Sequence, residues 1–112
     1  MKNLSPSDYL ADPSRYLLVD VRSLMEWGAC HDERAQHIPL TELLDRASSL
    51  PREKSIALIC RTGGRSARAC EMLEGNGLDL YNLAGGMRAL VLAKKEKGLL
   101  SAGECEKQMA NL

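Results

Sequence analysis

Residues 55–66 read SIALICRTGGRS, and this stretch decides how the chain folds. Ser55 to Ile59 form a short apolar run, which is typical of a strand buried on both faces of a sheet. Gly63 and Gly64 predict a tight loop after it, because glycine adopts left-handed backbone angles without strain. A helical pattern then runs from about Arg65 to Glu74. Strand, loop and helix in this order are the unit from which parallel α/β sheets are built.

The same alternation of apolar runs and helical patterns continues on both sides of this unit. It predicts an α/β fold with a central, mostly parallel sheet of about five strands and helices on both faces. In such a sheet, ligands bind at the carboxyl ends of the strands. The predicted strands are Tyr16–Val21, a weak one closing at Ile38-Pro39, Ser55–Ile59 and Asp79–Leu83. The predicted helices begin at Ser5, Ser23, Thr41, Arg65 and Met87, with Ser5 and Thr41 as caps.

Length and composition indicate one globular domain. The chain has 112 residues, of which 45% are hydrophobic and 27% charged. No apolar run approaches the ~18 residues of a membrane span, and the first residues lack the pattern of a secretory signal. We therefore expect a cytoplasmic protein with no membrane partner. The expected boundaries are a domain over residues 1–98 and a tail or short helix over 99–112, where Cys105, Met109 and Leu112 share a helical face.

The charges balance, with 15 basic and 15 acidic residues, which argues against a non-specific nucleic-acid binder. Their distribution is less even than the total. Between Lys54 and Cys70 there is no acidic residue, whereas Arg61, Arg65 and Arg68 all fall there. Such a basic segment suits a small anionic ligand, and a solvated helix face explains the charges equally well.

The four cysteines do not form a pattern typical of a disulfide framework or a metal site. There is no C-x-x-C motif, and the only histidines are His31 and His37. We therefore expect free thiols and no bound metal. Cys70 falls on a helical stripe with Ser66 and Leu73, which predicts a core position.

Cys60 differs because it ends a predicted strand and opens the glycine-rich loop. Successive backbone N–H groups of such a loop can point into one concavity, and the next helix adds the positive end of its dipole. Arg61 and Arg65 add full charges. We expect Arg65 to point across the site with its two-pronged guanidinium and Arg61 to lean toward the rim. A thiol in this setting ionises readily, and the thiolate is the nucleophile.

These residues resemble a known family, the single-domain rhodaneses, over roughly residues 4–97. Five segments match the family's signatures in order, and the match over CRTGGRSARA is the most specific. They are LVDVR at 18–22, Glu26-Trp27, Ile38–Leu40, CRTGGRSARA at 60–69 and YNLAGGM at 81–87.

The resemblance implies a rhodanese-like fold and a sulfurtransferase. Cys60 would take a sulfane sulfur from thiosulfate or a similar anionic donor and hold it as a persulfide. A thiol acceptor, or cyanide in an assay, would then remove that sulfur. The resemblance implies no metal and no organic cofactor. The residues expected to bind the donor are Arg61, Thr62, Gly63, Gly64, Arg65 and Ser66, and Asp20 and Arg22 are expected to brace the loop as an ion pair.

Two other functions are compatible with parts of this pattern. A cysteine phosphatase uses a similar cradle with the spacing Cys-x5-Arg, whereas Cys60 and Arg65 have the spacing Cys-x4-Arg. The shorter ring suits sulfur better than a tetrahedral phosphoryl group. A non-catalytic or persulfide-carrier domain is the other alternative, and the presence of Cys60 argues against a purely structural role.

Overall fold

Five parallel strands form a single sheet in the computed structural model, which describes residues 1–112. The strands are β1 (Lys2–Leu4), β2 (Tyr16–Asp20), β3 (Gln36–His37), β4 (Ser55–Ile59) and β5 (Leu80–Leu83). Their order across the sheet is β1-β5-β4-β2-β3, so β4 lies at the centre. The predicted α/β class is confirmed, and the expected mostly parallel sheet is parallel throughout.

Six α-helices and three short 3-10 turns connect the strands. The helices are α1 (Pro6–Ala11), α2 (Leu24–Ala29), α3 (Leu43–Arg46), α4 (Gly64–Leu73), α5 (Gly86–Glu96) and α6 (Ala102–Ala110). The 3-10 turns are Pro13–Arg15, Leu40–Glu42 and Ala47–Ser49. Ser5 caps α1 as predicted, since its side chain accepts a hydrogen bond from the Asp8 N–H. No helix is both long and apolar enough to cross a membrane.

The central strand supplies side chains to two separate hydrophobic clusters. Ile56 and Leu58 of β4 belong to one cluster, together with residues of α3 and α4. Ala57 and Ile59 belong to the other, which includes residues of α1, α5 and α6. Successive side chains of a strand point to opposite faces, so a continuous apolar run is the pattern that a doubly covered strand requires.

Three local features differ from the sequence-based expectations. Strand β1 was not predicted, because it has three residues of which only Leu4 is buried. The weak strand lies at residues 36–37, just before the expected Ile38-Pro39. The helix expected from Thr41 is broken into a 3-10 turn, the short α3 and a second 3-10 turn. Thr41 lies inside the first turn and does not cap a helix.

The last residues of the chain form α6, which packs against the body of the domain. Cys105 is buried in the second hydrophobic cluster, and Leu100, Met109 and Leu112 pack against that cluster. Of the two expectations for residues 99–112, the structure has the short helix. The boundary at residue 98 stays a prediction.

Candidate active site

Strand register places Cys60 at the carboxyl edge of the sheet, next to polar groups from both neighbouring strands. Cys60 follows β4 directly, and the last residue of β4, Ile59, lies opposite Asp20 of β2. On the other side, Leu58 lies opposite Asn82 of β5. The nucleophile expected from the sequence therefore lies where ligands bind in parallel α/β sheets.

The loop after Cys60 folds back so that hydrogen-bond donors face the sulfur. The Gly63 N–H donates to Cys60 Sγ at 3.0 Å, and Ser66 Oγ lies 3.4 Å from the same sulfur. Gly63 has a φ of 108°, in the left-handed region, and it immediately precedes α4. The amino end of α4 thus points at the sulfur, where its dipole favours negative charge.

The sulfur itself is buried, since Cys60 is only 1% exposed. Burial is the largest single influence on the pKa of Cys60 and raises it. Hydrogen bonds from the Ser66 side chain and from the backbone N–H groups of Ser66, Gly63 and Thr62 together outweigh burial, so the pKa of Cys60 falls below its ordinary value. This cradle of N–H and O–H groups suits an anionic sulfur.

The amino end of α5 holds the loop from behind. The N–H groups of Met87 and Arg88 donate to the carbonyl oxygens of Cys60 and Arg61, at 2.8 and 3.1 Å. Gly86 allows this close approach, because a Cβ there would lie 2.4 Å from the Cys60 oxygen. Its φ of 61° also lies in the left-handed region that favours glycine. With both carbonyls held by α5, the loop N–H groups are left to face the sulfur.

The comparison with protein families agrees with this geometry. The family model for the rhodanese-like domain matches residues 6–93. The chain belongs to this family.

Individual relatives support the same assignment. A sulfurtransferase of Allochromatium vinosum is 35% identical over 86 residues, which cover 76% of this chain and 80% of the relative. The Bacillus subtilis protein YqhL is 35% identical over 89 residues, covering 79% and 71%. Among solved structures, the rhodanese-related protein from Thermoplasma volcanium superposes with a TM-score of 0.78 at 29% identity and covers 83% of this chain and 93% of its own.

In this rhodanese-like domain, Arg65 is already engaged by an acidic partner. Its two terminal nitrogens donate to the two carboxylate oxygens of Glu26, at 2.6 and 2.8 Å. Arg65 therefore ties the start of α4 to α2, and its fork is not free for the two-pronged contact to donor oxygens that the sequence analysis expected. Glu26 belongs to a segment that resembles a family signature, but its pairing with Arg65 does not follow from the sequence, because the two residues are distant in the chain.

Asp20 and Arg22 form a buried ion pair, with side chains 0% and 1% exposed. The Arg22 guanidinium donates to both oxygens of Asp20 and to the Cys30 carbonyl at the end of α2. The pair therefore fastens α2, the helix that carries Glu26, to the end of β2. The ion pair thus connects to the catalytic loop through α2 and Arg65, and β2 also contacts the end of β4 directly, since the Val21 N–H donates to the Ile59 carbonyl at 3.0 Å.

The outer edge of the loop is exposed at Arg61, Thr62 and Gly64. None of the ion pairs in the structure involves Arg61. A cavity of about 420 Å³ opens beside the loop, between the ends of β2 and β3, and Arg65, Leu40, Thr41 and Glu42 are among its lining residues. Cys60 does not line this cavity.

Two functional-site residues were not identified from the sequence. Gly86 supports the loop backbone, and the sequence marked it only as part of the YNLAGGM segment that follows a predicted strand. Asn82 is 6% exposed and lies with Oδ1 2.5 Å from Ser66 Oγ. Its position in a predicted strand, directly before Leu83, is the signal that could have marked it, because buried polar groups need partners. All four cysteines are free thiols, and no group of three or more His, Cys, Asp or Glu side chains is arranged to hold a metal ion.

Proposed function

We propose that this rhodanese-like domain is a sulfurtransferase that moves a sulfane sulfur from thiosulfate, or a similar anionic donor, to a thiol acceptor through a persulfide on Cys60. The observation that carries the proposal is the convergence of donors on a single buried sulfur. Loop N–H groups, the Ser66 hydroxyl and the amino end of α4 all favour negative charge at that atom.

The first half-reaction loads the sulfur. The Cys60 thiolate attacks the outer sulfur of thiosulfate and forms a sulfur–sulfur bond. The bond between the two sulfurs of the donor breaks, and its electron pair leaves with sulfite. Cys60 is left as a persulfide anion, whose negative charge lies on the added sulfur.

The second half-reaction unloads it. An acceptor thiolate attacks the outer sulfur of the persulfide and departs as a persulfide of its own, while the electron pair of the broken bond returns to the Cys60 thiolate. With cyanide as acceptor, the product is thiocyanate. Two covalent steps of this kind give ping-pong kinetics.

The donor-binding residues divide into two groups in this proposal. Thr62, Gly63, Gly64 and Ser66 form the backbone and hydroxyl cradle that stabilises the anionic sulfur. Arg61 supplies unpaired positive charge at the exposed edge, which attracts an anionic donor. Arg65 fixes the start of α4 through Glu26.

Mass spectrometry of the intact protein tests the first half-reaction directly. Incubation with thiosulfate should add one sulfur atom to Cys60, located by peptide mapping, and cyanide or a small thiol should remove it. Steady-state transfer with a panel of sulfane donors should show parallel lines in double-reciprocal plots. No mass gain with any donor, together with turnover of an aryl phosphate, would instead establish a phosphatase.

A persulfide-carrier role is the second candidate, and the burial of Cys60 favours it. A thiol that is 1% exposed is reached by a free donor only when the loop opens, whereas a donor protein can supply a sulfur at a docked interface. A carrier would gain sulfur from thiosulfate slowly but keep it stably once loaded. Single-turnover loading and unloading rates, measured separately, distinguish the two functions.

A further inference from the structure

A row of three polar side chains ends at the sulfur of Cys60. The row consists, in spatial order, of Asn3 of β1, Asn82 of β5 and Ser66 of α4. Asn82 and Ser66 are buried. Asn82 Nδ2 lies 3.4 Å from Asn3 Oδ1, and Asn82 Oδ1 lies 2.5 Å from Ser66 Oγ. Ser66 Oγ lies 3.4 Å from Cys60 Sγ. The row thus connects the edge of the sheet to the nucleophile.

The Ser66 hydroxyl has one hydrogen but three acceptors within reach. They are Asn82 Oδ1 at 2.5 Å, the Gly63 carbonyl at 3.2 Å and Cys60 Sγ at 3.4 Å. When that hydrogen is donated to Asn82, Ser66 contributes no hydrogen bond to the sulfur. The partner chosen by Ser66 therefore decides how many donors the sulfur receives.

Turning the two amides reverses the direction of the row. The oxygen and nitrogen of a carboxamide have similar size, so a half turn exchanges them without displacing other atoms. In one direction, Ser66 donates to Asn82, which donates to Asn3. In the other, Asn3 donates to Asn82, Asn82 donates to Ser66, and the Ser66 hydrogen is left for Cys60. In both directions, each neighbouring pair in the row makes one hydrogen bond.

The charge on the sulfur selects between the two directions. An anionic sulfur gains a charge-assisted hydrogen bond when the row runs toward it, and each donor in the row strengthens the next. A neutral thiol does not attract the hydrogen in this way, and the Ser66 hydroxyl then donates to Asn82 Oδ1, its nearest acceptor. We propose that Asn82 is a positioning residue that turns the Ser66 hydrogen toward Cys60 whenever that sulfur is a thiolate or a persulfide anion. This inference rests on the proposed function, in which Cys60 is the nucleophile.

The test is a double-mutant cycle with the pH dependence of Cys60 alkylation as the readout. Asn82→Leu keeps the side-chain shape but removes both hydrogen-bonding groups, so the Ser66 hydroxyl loses the amide donor that strengthens its hydrogen bond to an anionic Cys60 sulfur. We expect this variant to raise the inflection of the alkylation profile by at least about half a pH unit, since one pKa unit corresponds to about 1.4 kcal/mol. In a Ser66→Ala background, the same substitution should produce no further shift.

A merely structural role for Asn82 predicts a different result. Asn82→Leu would then lower the melting temperature and leave the Cys60 profile in place, or it would shift the profile equally with and without Ser66. Either outcome overturns the proposal. The charged residues in and beside the loop are Arg61, Arg65, Glu26, Asp20 and, on α5, Arg88, and none of these is altered in the cycle.

A second pair of variants covers the case in which Asn82→Leu does not fold. Asn3 is exposed on the short edge strand β1, so its substitution is well tolerated by the core. Asn3→Asp offers only acceptors and should hold the row in the direction away from Cys60. We expect it to raise the alkylation inflection more than Asn3→Ala does, and only when Ser66 is present. A shift of equal size in Ser66→Ala reports the added charge alone and overturns the proposal.

The readout also separates this inference from the proposed function. Alkylation measures the Cys60 thiolate and requires no sulfur donor or acceptor. If sulfur transfer is present but the cycle shows no coupling, only the role of Asn82 fails. If Asn82 and Ser66 are coupled but no donor loads Cys60, the proposed reaction is wrong and the role of Asn82 is still supported.

Discussion

Cys60 and Cys70 are equally buried, yet their thiols have opposite character. They belong to the same hydrophobic cluster and are 1% and 2% exposed. Burial raises the pKa of Cys70 to about 11. Burial acts in the same sense on Cys60, but hydrogen bonds from Ser66, Gly63 and Thr62 reverse the outcome and lower its pKa.

The difference arises from the backbone around each residue. Cys70 lies in the middle of α4, where backbone N–H groups are used within the helix. Cys60 lies between a strand and a helix, where the first N–H groups of the helix have no intrahelical partner. A reactive thiol is therefore produced here by its place in the chain, without exposure to solvent.

Removing each sulfur in turn gives the largest expected effect. Cys60→Ser should reduce sulfur transfer to the uncatalysed rate, because a serine hydroxyl at this position is not ionised near neutral pH. Cys70→Ser should keep most of the activity and cost some stability, since it places a hydroxyl in the core. Transfer rates and melting temperatures of both variants test this. If Cys70→Ser folded normally but lost sulfur transfer, the assignment of Cys60 as the only nucleophile would be wrong.

Pushing the loop away from α5 should have the next largest effect. Gly86→Ala places a Cβ against the Cys60 carbonyl and forces alanine into a left-handed conformation, which alone costs about 1–2 kcal/mol. We expect kcat/KM for sulfur transfer to fall at least about a hundredfold, since removal of one oriented donor commonly has that effect.

Gly98 is the matched control for this substitution. Its φ of 73° carries similar strain, but a Cβ there meets nothing within 4 Å. Gly98→Ala should therefore lower stability and leave kcat/KM near the wild-type value. Equal activity losses in the two variants would mean that backbone strain, and not displacement of the loop, explains the defect at Gly86.

The alkylation rates of Cys60 and Cys70 should also depend differently on pH. The alkylation rate of a cysteine rises as pH increases through its pKa, because the thiolate is the reacting form. Cys60 should reach its half-maximal rate below pH 9, the ordinary value for a thiol, and Cys70 only near pH 11. Peptide-resolved alkylation from pH 5 to 11 measures both profiles. A Cys60 inflection at or above pH 9 contradicts the proposed stabilisation of its thiolate.

Breaking the ion pair between Arg65 and Glu26 should reduce sulfur transfer less than the changes at Cys60 and Gly86 do. Arg65→Ala leaves α4 without its tie to α2, and we expect kcat/KM to fall about tenfold, as for the loss of a charged hydrogen bond. The effect on stability should stay below about 1 kcal/mol, because the two side chains are 41% and 31% exposed. Arg68→Ala, one turn further along α4 and exposed, is the control.

A cycle with Glu26→Gln shows whether Arg65 positions the loop or binds the donor. If Arg65 acts through Glu26, Arg65→Ala should add little in the Glu26→Gln background. A tenfold loss in both backgrounds would instead support the direct contact between Arg65 and the donor that was expected from the sequence.

The ion pair should also respond to pH. The hydrogen bond from Arg65 lowers the pKa of Glu26 to about 2. The stabilisation of the folded state by this pair is therefore present above about pH 4.5 and is lost only as the pH falls through about 2.

Sequence reasoning identified the features that local chemistry determines. The apolar run at residues 55–59, the glycines after Cys60 and the stripe containing Cys70 each follow from neighbouring residues. It missed features that depend on long-range register. Glu26 meets Arg65, and Asn82 meets Ser66, only because parallel strands bring distant segments to one edge. Strand β1 was missed for the same reason, since its pairing with β5 is its main support.

The smallest expected effect concerns Arg61, the residue beside the nucleophile. Its carbonyl is held by Arg88, while its side chain is exposed and belongs to no ion pair. A charge of this kind attracts an anionic donor from a distance and fixes no geometry. Arg61→Ala should therefore reduce kcat/KM for thiosulfate by only about two- to fivefold at low ionic strength.

Salt identifies the physical origin of that reduction. The screening length falls from about 10 Å at 0.1 M to about 3 Å at 1 M ionic strength, so a long-range attraction should disappear at high salt. Arg68→Ala removes an exposed charge of α4 outside the loop and should leave kcat/KM close to the wild-type value at both salt concentrations. If the Arg61→Ala defect were larger than that of Arg65→Ala and persisted in 1 M salt, Arg61 would be bonded directly to the donor. The donor's oxygens would then be held at the exposed edge of the loop.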